Sequence, residues 1–256
     1  DHIADLRFNI LNNFVDKFVV VESTVNHQGK PKKLHFDIKL YNKFKSKINY
    51  IVVDDTPENI KRPHEGGESL VEQHQRNSLM KILNKANDED LIILSDVDEI
   101  PNLNKLNLFN KKNFGVFSQR MFMYKINFLN LDENNWHGSK ICLKKNLKSP
   151  QWLRNLKFKK YPFWRFDKPK NIQIIQDGGW HFAYLQSAEN ISKKIKSFAH
   201  GEFNKEHLTD ESKINDKIQN GEDVFERGFK IKKINIDETF PDYIQKNQDM
   251  LKNWIA

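Results

Sequence analysis

The segment Leu91-Ile92-Ile93-Leu94-Ser95-Asp96-Val97-Asp98-Glu99-Ile100-Pro101 runs from a short apolar stretch straight into three carboxylates. A continuous apolar run suits a strand covered on both faces, and sheets flanked by helices bind ligands at the carboxyl ends of their strands. In extended backbone Asp96 and Asp98 point to one side, about 6–7 Å apart, while Val97 points away. Acids so placed repel each other unless a cation lies nearby, and a divalent ion beside a nucleotide diphosphate is the chemistry such a pair serves. The same residues could also form a solvated turn after a core strand. The pattern predicts Asp98 as the leading metal ligand, Asp96 as a contact to ribose or metal, and Glu99 as part of the acidic rim. His181, after Gly178-Gly179, would add an imidazole suited to a manganese-like ion, with magnesium as the other cation; a hydrogen-bonded structural histidine is the alternative.

Group transfer from a nucleotide diphosphate also needs a base for the acceptor. Asp177, four residues before His181, is the first candidate, because a carboxylate is already ionised at neutral pH. Glu202, in His200-Gly201-Glu202, is the second. Arg76 and Asn77 precede the acidic strand on a predicted helix and are placed to meet a diphosphate or base. Glu22 ends an earlier predicted strand and joins them as a cofactor-binding candidate.

The elements that must position these groups follow from periodicity. Apolar residues at helical spacing mark 2–14, then Phe18 to Ser23 reads as a strand. A helix over 36–46 and a strand from Ile48 to Val53 follow. Ser69 and Glu72 carry a capping-box pattern for a helix running through Leu83. This alternation predicts an α/β layer with a mainly parallel sheet in the first half of the chain. Beyond Pro101, Phe114 to Ser118 and Met121 to Phe128 read as strands, 136–166 as aromatic-rich irregular chain, and Ile172 to Ile175 as a strand. Helices are expected over 188–199, 209–219 and 241–254, the last begun by Pro241. A helix with no strand before it is an unusual start for such a layer and predicts that an N-terminal strand is missing from the residues given.

The 256 residues are enough for one domain with a sizeable core. No run reaches the roughly 18 apolar residues of a membrane span, and the first residues lack the order of a signal peptide. The single cysteine, Cys142, excludes an internal disulfide framework and a cysteine-based zinc site. A net charge of +8 invites a nucleic-acid reading. The lysines are spread along the chain among acids, so the expectation is no nucleic acid, and instead a solvated basic surface or a patch facing phosphates or an anionic membrane.

Taken in order, several segments resemble glycosyltransferase family 17, which includes β-1,4-mannosyl-glycoprotein β-1,4-N-acetylglucosaminyltransferases. They are Val15-Asp16-Lys17-Phe18-Val19-Val20-Val21-Glu22-Ser23, Gly29-Lys30-Pro31, Gln75-Arg76-Asn77, Ser95 to Pro101, Asp177-Gly178-Gly179-Trp180-His181-Phe182 and Ala199-His200-Gly201-Glu202. The resemblance implies a GT-A type, Rossmann-like fold with a mixed sheet flanked by helices and further helices at the C-terminus. It also implies inverting, metal-dependent transfer from UDP-N-acetylglucosamine to a glycan hydroxyl, with the Asp-x-Asp function on Asp96 and Asp98. Family members usually carry a strand before the position matching Asp1. The chain looks more like a bacterial or viral relative, cytoplasmic and at most peripheral at a membrane.

Two other readings compete. A phosphohydrolase of the haloacid dehalogenase type also places Asp-x-Asp after an apolar strand, with Asp96 as nucleophile. A non-catalytic carbohydrate-binding module would use Trp136, Trp152, Trp164 and Trp180 as stacking platforms.

Overall fold

In a computed structural model the described residues are 2–61, 69–111, 114–157, 164, 169, 172–197 and 206–256. The elements are α1 (His2–Leu11), β1 (Phe18–Ser23), β2 (Ile48–Val53), α2 (Leu70–Asn77), α3 (Met80–Leu83), β3 (Leu91–Leu94), β4 (Glu99–Pro101), β5 (Phe114–Met123), β6 (Phe128–Asn130) and β7 (Trp136–Leu143). They continue as α4 (Pro150–Arg154), β8 (Ile172–Ile175), β9 (Gly179–Ala183), α5 (Ala188–Ser197), α6 (Glu206–Thr209), α7 (Glu211–Asn220), β10 (Ile231–Lys233) and α8 (Asp242–Lys246). The architecture is a Rossmann-like α/β fold with a curled mixed sheet flanked by helices. No helix among the described residues is long and apolar enough to cross a membrane.

β5 is the spine of the sheet. Its first half pairs with β7 and β8, and its second half with β9 and β6. The register against β7 shifts between Val116 and Ser118. A bulge there bends the strand so that its two halves serve different neighbours. β1 and β2 form a separate parallel pair, while β3 runs antiparallel to β7. The expectation of a mainly parallel first half therefore holds only for β1 and β2, because β3 takes its partner from the later hairpin-like region.

The apolar run of β3 is covered on both faces, as its composition requires. Ile92 and Leu94 pack with Leu79, Leu83, Leu147 and Leu153, while Leu91 and Ile93 lie against the larger core around Ile100, Phe117 and Ile141. Each such side chain contributes about 1.5–3 kcal/mol on burial. That core fixes the end of β3, and so the start of the acidic segment.

Local chemistry shortens several predicted helices. Ser69 stands at the N-cap of α2 but makes no cap bond; its hydroxyl donates to the His27 carbonyl at 2.7 Å, and Glu72 pairs with Arg76 instead. The helix breaks after Asn77, where the Ser78 hydroxyl donates back to the His74 carbonyl. The segment 36–46 is a tight 3-10 turn over Ile38–Phe44, interrupted at Tyr41. The final helix spans only Asp242–Lys246, since Asn247 leaves helical geometry. Of the region expected to be irregular, 136–143 is the strand β7 and Pro150–Arg154 is α4, begun by Ser149, whose side chain caps the Trp152 amide.

Gly179 shows how closely β9 meets β4. Its φ is +135°, and a Cβ there would lie 2.2 Å from the Ile100 carbonyl oxygen. Gly179→Ala is expected to cost about 3 kcal/mol or more, combining backbone strain with overpacking. Urea unfolding measures it, and a loss below about 1 kcal/mol would contradict this packing.

Candidate active site

β9 holds the acidic segment in place. Glu99 is opposite His181 in the antiparallel pairing of β4 and β9, and the Phe182 amide donates to the Asp98 carbonyl at 2.9 Å. Asp96 to Glu99 is not extended. The Glu99 amide donates to the Asp96 carbonyl at 3.1 Å, closing a turn. The expected same-side pair of aspartates is therefore corrected: the turn sends the two carboxylates to different partners.

Asp96 faces arginines. Arg154 reaches its Oδ2 at 2.8 Å, and Arg76 lies 3.6 Å from its Oδ1. Asp98 faces His181, whose Nε2 stands 3.6 Å from Asp98 Oδ2. Burial would push the Asp98 carboxyl up, but the imidazole of His181 and the charge of Lys194 outweigh it and hold the group below the usual range. The mutual repulsion inferred from spacing is thus relieved on the Asp96 side by guanidinium groups.

Glu99 is no rim residue. It is 1% exposed. Its Oε1 accepts the Trp136 indole N–H at 2.9 Å, its Oε2 accepts the Asp96 amide at 3.1 Å, and Arg154 lies 3.5 Å away. Burial and the charge of Asp96 raise its carboxyl above the ordinary range, while Arg154 opposes them. The Arg7 guanidinium fixes the backbone of the same turn, donating to the carbonyls of Glu99 at 2.6 Å and Asp96 at 3.2 Å. The Trp136 ring in turn lies against His181, with centroids 4.8 Å apart.

Asp98 and His181 open onto a cavity of about 370 Å³ between β5, β9, α5 and the chain after α7. Trp136 and Tyr184 wall it, Glu133 adds a second carboxylate, and Lys194 and Arg227 add cations. Lys194 Nζ lies 4.8 Å from the Tyr184 ring centre, and Arg227 pairs with Asp223 at 3.0 Å. Of the tryptophans proposed as platforms, only Trp136 lines this cavity; Trp180 is buried with its indole bonded to the Thr239 carbonyl, and Trp152 packs on Phe114.

The remaining described candidates do not line this cavity. Asp177 is exposed in the turn before β9, at φ +49°, with its carbonyl taking a bond from Asn102; it is not among the residues lining the cavity. Glu202 lies outside the described residues. Arg76 is buried between Glu72, Gln151 and Asp96, and the Asn77 side chain accepts from the Gln151 amide at 3.0 Å. These two residues seat α4, which carries Arg154. Glu22 accepts from Lys32, the amides of His35 and Phe36, and the Tyr50 hydroxyl. Burial would raise its carboxyl, but those four donors together hold it below the usual range. It organises the 30–36 loop. Sequence reasoning missed Arg154, Glu133, Lys194 and Arg227, none of which stands at a diagnostic spacing from the acidic segment.

Among the described residues no three His, Cys, Asp or Glu side chains converge as a metal cluster. The Asp98–His181 pair still fits a divalent ion. A carboxylate and a neutral imidazole suit manganese, and magnesium-like ions at nucleotide sites take one or two protein ligands, with phosphate oxygens and water completing the shell. The 3.6 Å separation is longer than a hydrogen bond, and the buried His181 Nδ1 has no partner among the described residues, so packing against Trp136 holds the ring.

The sequence profile of glycosyltransferase family 17 matches residues 2–230, which include the acidic turn, β9 and every residue named at the cavity. The chain belongs to glycosyltransferase family 17. It is therefore an enzyme that moves a sugar from a nucleotide-sugar donor to a glycan acceptor, and the phosphohydrolase and binding-module readings fall away. No curated protein and no solved structure gives a match.

Proposed function

We propose that this family 17 glycosyltransferase transfers N-acetylglucosamine from UDP-N-acetylglucosamine to a glycan hydroxyl with inversion, using Asp98 and His181 to hold Mn²⁺, or Mg²⁺ in its place. The observation that carries this reading is the Asp98–His181 pair facing a cavity of sugar-binding size and chemistry. The ion supplies charge compensation for the departing diphosphate. Lys194 and Arg227 add positive charge at the same cavity, and the Trp136 and Tyr184 rings offer faces to a sugar. Asp96, half exposed beside Arg76 and Arg154, is the contact to the ribose.

In the transfer the acceptor oxygen bonds to the anomeric carbon, the bond from that carbon to the diphosphate oxygen breaks, and a carboxylate takes the hydroxyl proton. Asp177 and Glu202 are the two bases proposed. Loss of the base is expected to lower turnover about 10²- to 10⁴-fold with UDP binding unchanged. Comparing Asp177→Asn with Glu202→Gln in a turnover assay decides between them, and normal turnover by both variants would overturn both assignments. Incubation with UDP-N-acetylglucosamine, Mn²⁺ and a panel of glycans tests the reaction itself. A β-linked product read by NMR from the α-linked donor is the expected outcome; an α-linked product would overturn inversion.

A further inference from the structure

We propose that Glu99 is the positioning residue of this site, a buried post that sets Asp98 against His181 by clamping the Asp96–Glu99 turn and the Trp136 indole at once. The inference rests on the reading of Asp98 and His181 as the cation-holding pair.

A carboxylate that is 1% exposed cannot reach a substrate, and a buried ion network is seldom the most stable filling for its space. Its placement needs another reason, and its hydrogen bonds supply one. One oxygen receives the amide that begins the acidic turn, and the other receives the indole whose ring packs on His181. The strand pairing sets Glu99 directly opposite His181, so one side chain ties together the backbone that carries Asp98 and the ring that backs its partner. β7 is adapted to the same group. A Cβ at position 138 would lie 2.5 Å from the Glu99 carboxyl carbon, and glycine there leaves the room the carboxylate occupies. Trp136 and Gly138 thus serve Glu99 from one strand.

The test uses the full chain with UDP and Mn²⁺ as probes, since UDP lacks the sugar that Trp136 could stack against. Glu99→Gln keeps the shape but loses one of the two acceptor oxygens. Trp136→Phe keeps a ring beside His181 but removes the N–H, and it serves should Glu99→Gln fail to fold. Each is expected to weaken UDP binding in Mn²⁺ about 10- to 100-fold, as loss of an orienting partner does at metal sites. Metal-free UDP affinity should stay unchanged in Glu99→Gln, because Glu99 does not line the cavity. Unchanged Mn²⁺-dependent affinity in the variants, with a Mn²⁺-dependent wild type, would overturn the positioning role alone; so would an equal loss of metal-free affinity. Wild-type UDP binding indifferent to Mn²⁺ would overturn the metal reading and this inference with it.

Discussion

Asp98→Ala removes the Mn²⁺-dependent part of UDP binding, a loss of at least about 100-fold, and His181→Ala does the same. The expectation comes from the division of labour in the acidic turn. Among the described residues the Asp98 carboxylate meets an imidazole at 3.6 Å, with its charge kept by that neighbour and Lys194, which leaves it available to a cation. Asp96 spends its oxygens on Arg154 and Arg76. Asp96→Ala should therefore leave a clear Mn²⁺ response while weakening UDP binding through loss of the proposed ribose contact. Calorimetric titration of UDP with and without Mn²⁺ separates the two. A Mn²⁺ response that survives in Asp98→Ala but vanishes in Asp96→Ala would reverse the assignment.

Arg154→Met destabilises the fold by about 3 kcal/mol or more, because removing one partner from a buried pair leaves the other charge uncompensated. Glu99 is that other charge, fully enclosed, with Asp96 adding repulsion that already raises its carboxyl. An exposed salt bridge would cost less than about 1 kcal/mol. Urea unfolding of the wild type and Arg154→Met decides between these magnitudes. The double change Arg154→Met, Glu99→Leu is expected to recover most of the loss while failing to restore Mn²⁺-dependent UDP binding, which separates what the network does for stability from what it does for the site.

Strands whose apolar pattern is simple, β1, β2, β3 and β8, were legible in the sequence to the residue. β7 was not. Its Gly138, Ser139 and Lys140 interrupt the alternation, yet they lie inside, where Ser139 bonds to Ser95 and to the Glu99 carbonyl and Gly138 makes room for the Glu99 side chain. A strand that faces a buried polar network reads as irregular because its interior positions are not apolar. β9 was obscured by Gly178-Gly179, because the strand begins at Gly179 and carries His181 rather than ending before it. The pairing of Asp98 with His181 followed from residue type. The diversion of Asp96 to arginines did not, because it depends on α4 being seated through Asn77 and Gln151, a contact between segments 74 residues apart. Local pattern finds candidate ligands; it does not find the countercharges that long-range packing brings to them.

Diffraction from crystals soaked with MnCl₂ and UDP, recorded at the manganese absorption edge, tests the central claim most directly. A single anomalous peak touching both Asp98 Oδ2 and His181 Nε2, with diphosphate oxygens on its far side, is the predicted result. UDP bound in the cavity with no manganese between those two side chains, or manganese held at Asp96 instead, would contradict it.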